Sequence, residues 1–314
     1  MSPLIALLGA LFAVTAVYFA GWGKAIMAAR RSPDLSHSSP DDARFPTAPQ
    51  IGIGFITNFF DTLGIGSFAP TTAFYKLARM VNDRVIPGTM NVGHTFSTTV
   101  QTVLFTAFIE VDITTLFSMI AASILGAWLG AGVVAGFSKR KVQIGMGIAL
   151  LLAATFMLIT QLQTMMSVQV FPAGGEALGV SGVRLVIAVV VNFILGALMT
   201  LGIGMYAPVM IVVSLLGMNP RIAFPIMMSS CAFLMPVGSL RFIKERSYAM
   251  RPALGLLVGG PLAVLLAFYI VKELPLYAVR WLVIVVVIYT AISMLYSAFG
   301  SKESVSREAL KAEA

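Results

Sequence analysis

Two stretches of the chain, 138 residues apart, repeat one interrupted pattern. Aligned without gaps, Phe55–Pro70 ("FITNFFDTLGIGSFAP") and Phe193–Pro208 ("FILGALMTLGIGMYAP") agree at nine of sixteen positions: Phe, Ile, Thr, Leu, Gly, Ile, Gly, Ala and Pro. Phe68 faces Tyr206, and at the same offset Pro87 meets Pro225, where the next apolar segment begins. Scattered Leu or Ala matches arise by chance between apolar helices, but this run does not, so the chain reads as an internal duplication. Each copy places two glycines and a proline inside an apolar segment, where they interrupt a helix. That fixes the unit from which any fold must be built.

The surroundings are a bilayer. Of 314 residues, 58% are hydrophobic and 11% charged, against about 25% charged in a soluble domain. The formal net charge of +8 reads as cytoplasmic loop charge rather than a nucleic-acid footprint, and no nucleic-acid partner is expected. A single cysteine, Cys231, excludes an internal disulfide framework, and two histidines, His37 and His94, make a histidine-rich metal site improbable. No Gly-Lys-Ser/Thr phosphate loop is written, which argues against ATP-driven transport, and no cofactor is implied.

Segmentation predicts an all-α multi-pass membrane protein. An N-terminal transmembrane anchor occupies 1–22, its apolar run Pro3–Trp22 being about the ~20 residues a span needs. With no basic residue before it and Lys24, Arg30 and Arg31 after it, it reads as uncleaved, with its N-terminus outside. A polar, irregular cytoplasmic linker follows (23–49), then repeat 1 (50–162), an external loop (163–183), repeat 2 (184–298) and a cytoplasmic, solvated tail (299–314). Each repeat is expected to hold a broken-helix hairpin and three spans. If each broken pair enters and leaves on one side, 17 of the 21 Lys and Arg fall inside and four outside: Arg184, Arg221, Lys272 and Arg280. If each pair is one continuous span the split becomes 12 to 9, so charge favours hairpins. Arms of ~15 residues reach ~22 Å, short of a ~30 Å core, which favours re-entrant ones. An odd number of spans per half then inverts the halves, and the two tips meet near the midplane, the plan of secondary transporters.

The breaks are the first candidate site. Gly64, Gly66, Gly202 and Gly204 allow left-handed backbone and close approach of a ligand. The arms that follow start near Ser67 and Met205, and two facing helix N-termini would bind an anion through N–H groups. The plainer reading is that the glycines and prolines only permit a tight turn. Asp61 is an ionisable group at membrane depth, costing roughly 2.5–3.5 kcal/mol on insertion scales, with Asn58 on the same helical face. It reads as a proton or substrate contact, or as a cap on the break. A carboxylate beside a bound anion must be protonated or turned away. His94 sits beside a polar stripe, Asn91, Thr95 and Thr98, and suits proton coupling or a switchable charge; it could equally tie span to hairpin. Substrate binding is thus assigned to Asn58, Gly64, Gly66, Ser67, Asn91, Thr95, Gly202, Gly204 and Met205, and proton coupling to Asp61 and His94. Lys76 and Arg79 read as inner-face topology charges that could also draw anions to that mouth. The methionines read as packing, and Gly126 with Gly130 as a close helix contact.

The stretches "NFFDTLGIGSFAPTTAFYKL" and "IPGTMNVGHT", with the duplicated break, resemble the TauE/SafE sulfite exporter family over about residues 50–298, leaving the Pro3–Trp22 span and the linker outside. Much of that family has a glycine triplet where this chain has Gly66-Ser67-Phe68. The resemblance implies transport of sulfite, organosulfonates or related small anions across the cytoplasmic membrane, usually outward. The expected function is therefore a secondary transporter, and not an enzyme, with a small anion, the lipid bilayer and a coupling proton as partners. A scaffold or assembly subunit without flux is the alternative. An intramembrane enzyme is a weaker one, since the chain has no HExxH, GxSxG or paired carboxylates.

Overall fold

The computed structural model describes residues 3–31, 45–82, 84–134, 139–166, 175–199 and 204–312. The described residues form eleven α-helices: α1 (Pro3–Arg31), α2 (Ala48–Thr62), α3 (Phe68–Leu77), α4 (Ile86–Phe108), α5 (Ile113–Val134), α6 (Lys139–Met166), α7 (Gly182–Met199), α8 (Tyr206–Leu215), α9 (Ala223–Lys244), α10 (Met250–Glu273) and α11 (Leu276–Ala312). Among them, α1, α6, α7, α9, α10 and α11 are long and apolar enough to cross a membrane. The threonine-rich α4 is less apolar but runs the length of α9 beside it. The protein is an all-α, multi-pass membrane protein.

The duplication maps α2 onto α7, α3 onto α8, α4 onto α9, α5 onto α10 and α6 onto α11. α4 also lies along α10; the extensive pairs that the duplication relates are α2 with α10, α7 with α5, α4 with α9, and α6 with α11. Exchanging the halves turns the first pair into the second and leaves the other two unchanged. Those self-paired helices are antiparallel. In one pair Thr95 meets Ser239 at 3.0 Å while Phe105 stacks on Phe224 at 5.1 Å. In the other, Arg140 donates to the Ala298 carbonyl at one end and Tyr277 reaches Met165 at the far end. A helix that lies antiparallel to its own duplicate is related to it by a two-fold axis across the helices. The halves are therefore inverted.

Glycine sets the closest approaches. A methyl on Gly259 would strike the Ile51 carbonyl of α2, and one on Gly126 the Phe193 carbonyl of α7. Gly196 lies equally close to Ser123, and Asn192 donates to the Met119 carbonyl at 2.5 Å. Small residues let backbones touch where lipid gives no hydrophobic drive. The close contact expected at Gly126 is thus present; the surroundings of Gly130 lie outside the described residues.

The short arms return to the face from which they came. α2 opens with the Thr47 N–H donating to Gln50 Oε1 (2.9 Å), beside α10, where Arg251 donates to the Phe45 carbonyl. α3 comes back to the same end, where Tyr75 donates to the Pro252 carbonyl at 3.3 Å. We call this end the basic face. α7 and α8 open and close at the opposite face. There the 175–181 strap is held by Asn219 N–H to the Ala177 carbonyl and Asp112 N–H to the Leu178 carbonyl. α3 and α8 end alike: Arg79 N–H bonds Lys76 O and Met80 N–H bonds Tyr75 O, and Gly217 and Met218 repeat this with Ser214 and Val213. Both are Schellman caps, with Arg79 (φ 51) and Gly217 (φ 84) in the left-handed position.

Two expectations change. α1 continues as helix through Gly23–Arg31, because lysine, alanine, isoleucine and methionine there favour helix; it is not an irregular linker, and residues 32–44 lie outside the described ones. α1 lies against α4 and α9, where Tyr18 donates to the Val92 carbonyl at 2.6 Å and Thr15 meets Thr99. α6 runs as far as Met166, into the segment expected to be an external loop, and α11 runs to Ala312.

The candidate substrate site at the two breaks

α2 stops because Gly64 takes a left-handed φ of 96°. Its N–H bonds the Asp61 carbonyl and the Ile65 N–H reaches back to Phe60, another Schellman cap. The turn reading of Gly64 thus holds, and a methyl there would also collide with Met210 of α8. Gly66 is again left-handed (φ 88), and nothing lies where its Cβ would be. Ser67 then caps α3.

Three helices converge on this break. Asp61, 3% exposed, accepts from Gln101 Nε2 of α4 at 2.8 Å, and the same amide group reaches Thr62 Oγ1 at 2.9 Å. The backbone N–H and hydroxyl of Ser67, and the hydroxyl of Tyr206, lie within hydrogen-bonding reach of that carboxyl group. Ser67 belongs to the first break and Tyr206 to the second, so Asp61 joins the two tips. Tyr206 also contacts Cys231, whose thiol lies 3.8 Å from Met199 Sδ.

His94 is fully buried and held at both nitrogens. Nδ1 is 3.1 Å from Asn58 Oδ1, and Nε2 is 3.0 Å from Thr71 Oγ1. Asn58 donates its amide to the Gly54 carbonyl, so its oxygen faces the ring and Nδ1 carries a proton. Thr71 has one hydroxyl proton and two acceptors, His94 Nε2 and the Ser67 carbonyl at 2.7 Å. A neutral ring accepts a hydrogen bond from the Thr71 hydroxyl at Nε2; an imidazolium donates to Thr71 Oγ1 and turns the hydroxyl proton to the Ser67 carbonyl. The ring's protonation thus reaches the backbone of the break through one side chain.

Of the residues nominated from sequence, the structure gathers Asn58, Asp61, Gly64, Gly66, Ser67 and His94 around the first break, facing Met205 and Tyr206 across the two-fold. Gly204 is exposed and Met205 buried; Gly202 lies outside the described residues. Asn91 and Thr95 are turned away. Asn91 donates to the Pro87 carbonyl of its own helix, and Thr95 meets Ser239 of α9. The threonines of α4 largely bond carbonyls one turn back, which satisfies them without a ligand. Gln101, Thr62, Thr71 and Tyr206 were not nominated. Gln101 had a signal: it follows His94 and Thr98 at i+7 and i+3, on one helical face.

Residues 2–157, about half of the chain, match the Sulfite exporter TauE/SafE family. The chain belongs to that family. The match takes in α1 and the segment after it, which the sequence resemblance had left outside, and it ends within α6, short of the second repeat. No curated protein and no solved structure matches the chain.

Proposed function

We propose that this TauE/SafE protein is a proton-coupled secondary transporter of small anions, such as sulfite or sulfonates, working as an exporter. Its N-terminus would lie outside, and the basic face and C-terminus in the cytoplasm, with 17 of 21 basic residues on the inner side. The observation that carries the reading is the Asp61 carboxyl group lodged between Ser67 and Tyr206. The Gln101 amide donates to the protein's own carboxylate, and the Ser67 N–H and hydroxyl and the Tyr206 hydroxyl that an anion could also use lie close to it. Protonating Asp61 removes the competing charge and leaves those donors for the substrate, so anion and proton enter the site together. That answers the objection that a carboxylate repels an anion: the two occupy the donors in turn. Rocking one half against the other about the breaks would expose the site to each face alternately. Asn58, His94 and Thr71 position the Ser67 backbone.

The test is sulfite flux in proteoliposomes with and without a pH gradient. The wild-type protein should move sulfite faster with the gradient, about one proton per anion. In Asp61→Asn the flux should no longer respond to it. A wild type that moves neither sulfite nor a panel of sulfonates and carboxylates would overturn the reading.

A further inference from the structure

Each short arm ends at a cavity, and the two cavities are mates under the internal two-fold. The one at the basic face, about 530 Å³, is lined by Lys76, Arg79 and Met80 at the end of α3. Adding 138 to these numbers gives Ser214, Gly217 and Met218, which line the other cavity, about 340 Å³, at the opposite face. On the first, both charges sit on the arm itself. On the second, the arm carries none, since Ser214 and Gly217 stand where Lys76 and Arg79 stand.

The second cavity is nonetheless cationic. Arg184 from the start of α7 and Arg280 from the start of α11 line it, with Thr160 and Gln161 from the end of α6. The Arg184 guanidinium lies 3.7 Å from where a Cβ on Gly217 would sit, so it stands beside the turn on which the mate carries its own arginine. Arg280, with 18% of its side chain exposed, pairs with Glu176 at 3.9 Å, whose side chain is 73% exposed. This face is the poor one in basic residues, holding four by the charge count. Two have packing roles: Arg221 donates to the Leu274 carbonyl, and Lys272 lies 4.6 Å over the Phe108 ring. The other two converge on this one cavity. Topology accounts for Lys76 and Arg79 at the basic face, but it predicts no cations here.

We propose that this cavity is an anion-binding vestibule, separate from the midplane site, which takes a sulfonate or similar oxyanion group between Arg184 and Arg280. Its purpose rests on the transport reading; its test does not. Ser214→Cys places a thiol in the cavity wall, and full-length protein in phosphatidylcholine vesicles is labelled with sulfonatoethyl or trimethylammonioethyl methanethiosulfonate. Two cations in a cleft raise the local anion concentration, so the sulfonate reagent should react about tenfold faster relative to the trimethylammonium reagent than each does with a small free thiol. Adding Arg184→Gln or Arg280→Gln, singly, should bring that ratio most of the way to one. Methanesulfonate should slow labelling if the site serves a free solute. If instead only phosphatidylglycerol slows it, the oxyanion is a lipid headgroup. Labelling blind to reagent charge, in protein that purifies and reconstitutes normally, would overturn the proposal. Because labelling needs no flux, a dead transporter with charge-selective labelling would sink the transport reading alone.

Discussion

The two breaks share a sequence pattern and differ in chemistry. The first is lined by Asn58, Asp61, Thr62, Ser67 and Thr71, with Gln101 and His94 reaching in from α4. The second has Gly196 and Met199 in place of Asn58 and Asp61, Met205 in place of Ser67, and Ala232 in place of His94. The second half also supplies Met210, Met227, Met228 and Cys231, all buried, and Met210 and Met227 lie beside Gly64 of the first break. An inverted duplication needs only matching shapes for its two-fold to work. One polar site on the axis suffices, because the tips touch there, and a second buried carboxylate would cost desolvation without adding a site. Tyr206 is the exception that the second half contributes, a hydroxyl where the first half has Phe68.

The sharpest way to break this comparison is to move the carboxylate across the axis. Asp61→Met combined with Met199→Asp keeps one acid in the core, but the new acid loses its partners, since Met205 and Ser239 stand where Ser67 and Gln101 would be needed. Gradient-driven flux should fall to background while the protein still elutes as a single folded species. Flux that survived would make the asymmetry irrelevant to transport.

A smaller effect is expected from Tyr206→Phe, which makes the second tip resemble the first. A hydrogen bond to a charged group contributes about 1.5–3 kcal/mol, so anion-driven proton uptake should fall about tenfold or more. Equal uptake in the variant would show that the tips do not share the carboxyl group. The repeated glycines should also separate. Gly66→Ala forces a side chain into left-handed backbone, about 1–2 kcal/mol, and should weaken sulfite binding roughly tenfold although the space is open. Gly204→Ala meets neither a positive φ nor a neighbour within 4 Å and should change affinity less than about twofold. Calorimetric titration of both variants decides this, and identical losses would mean that substrate, not backbone geometry, occupies the space at both glycines.

Much of the architecture was legible because it is local. Helix positions follow from apolar runs about twenty residues long, the breaks from Gly64 and Gly66 and their copies, and the inversion from counting spans and basic residues. The same signals overreached where composition was ambiguous. Gly23–Arg31 reads as polar yet continues α1, and Asn91 and Thr95 look like a polar stripe aimed at a site yet face α9. Period alone says which residues share a face of a helix; it does not say which neighbour that face meets.

The chain by itself therefore determined the spans, the two breaks, their inverted relation and the presence of one buried acid, since each depends on composition, spacing or parity. Only the tertiary structure decided that Gln101 donates to Asp61 and Tyr206 lies beside it, that Thr71 links His94 to the break, and that Gly126 and Gly259 let helices of the two halves touch. Those pairings join residues from different helices, and they are set by where helices cross, which side-chain volume along whole interfaces controls and no short stretch of sequence records.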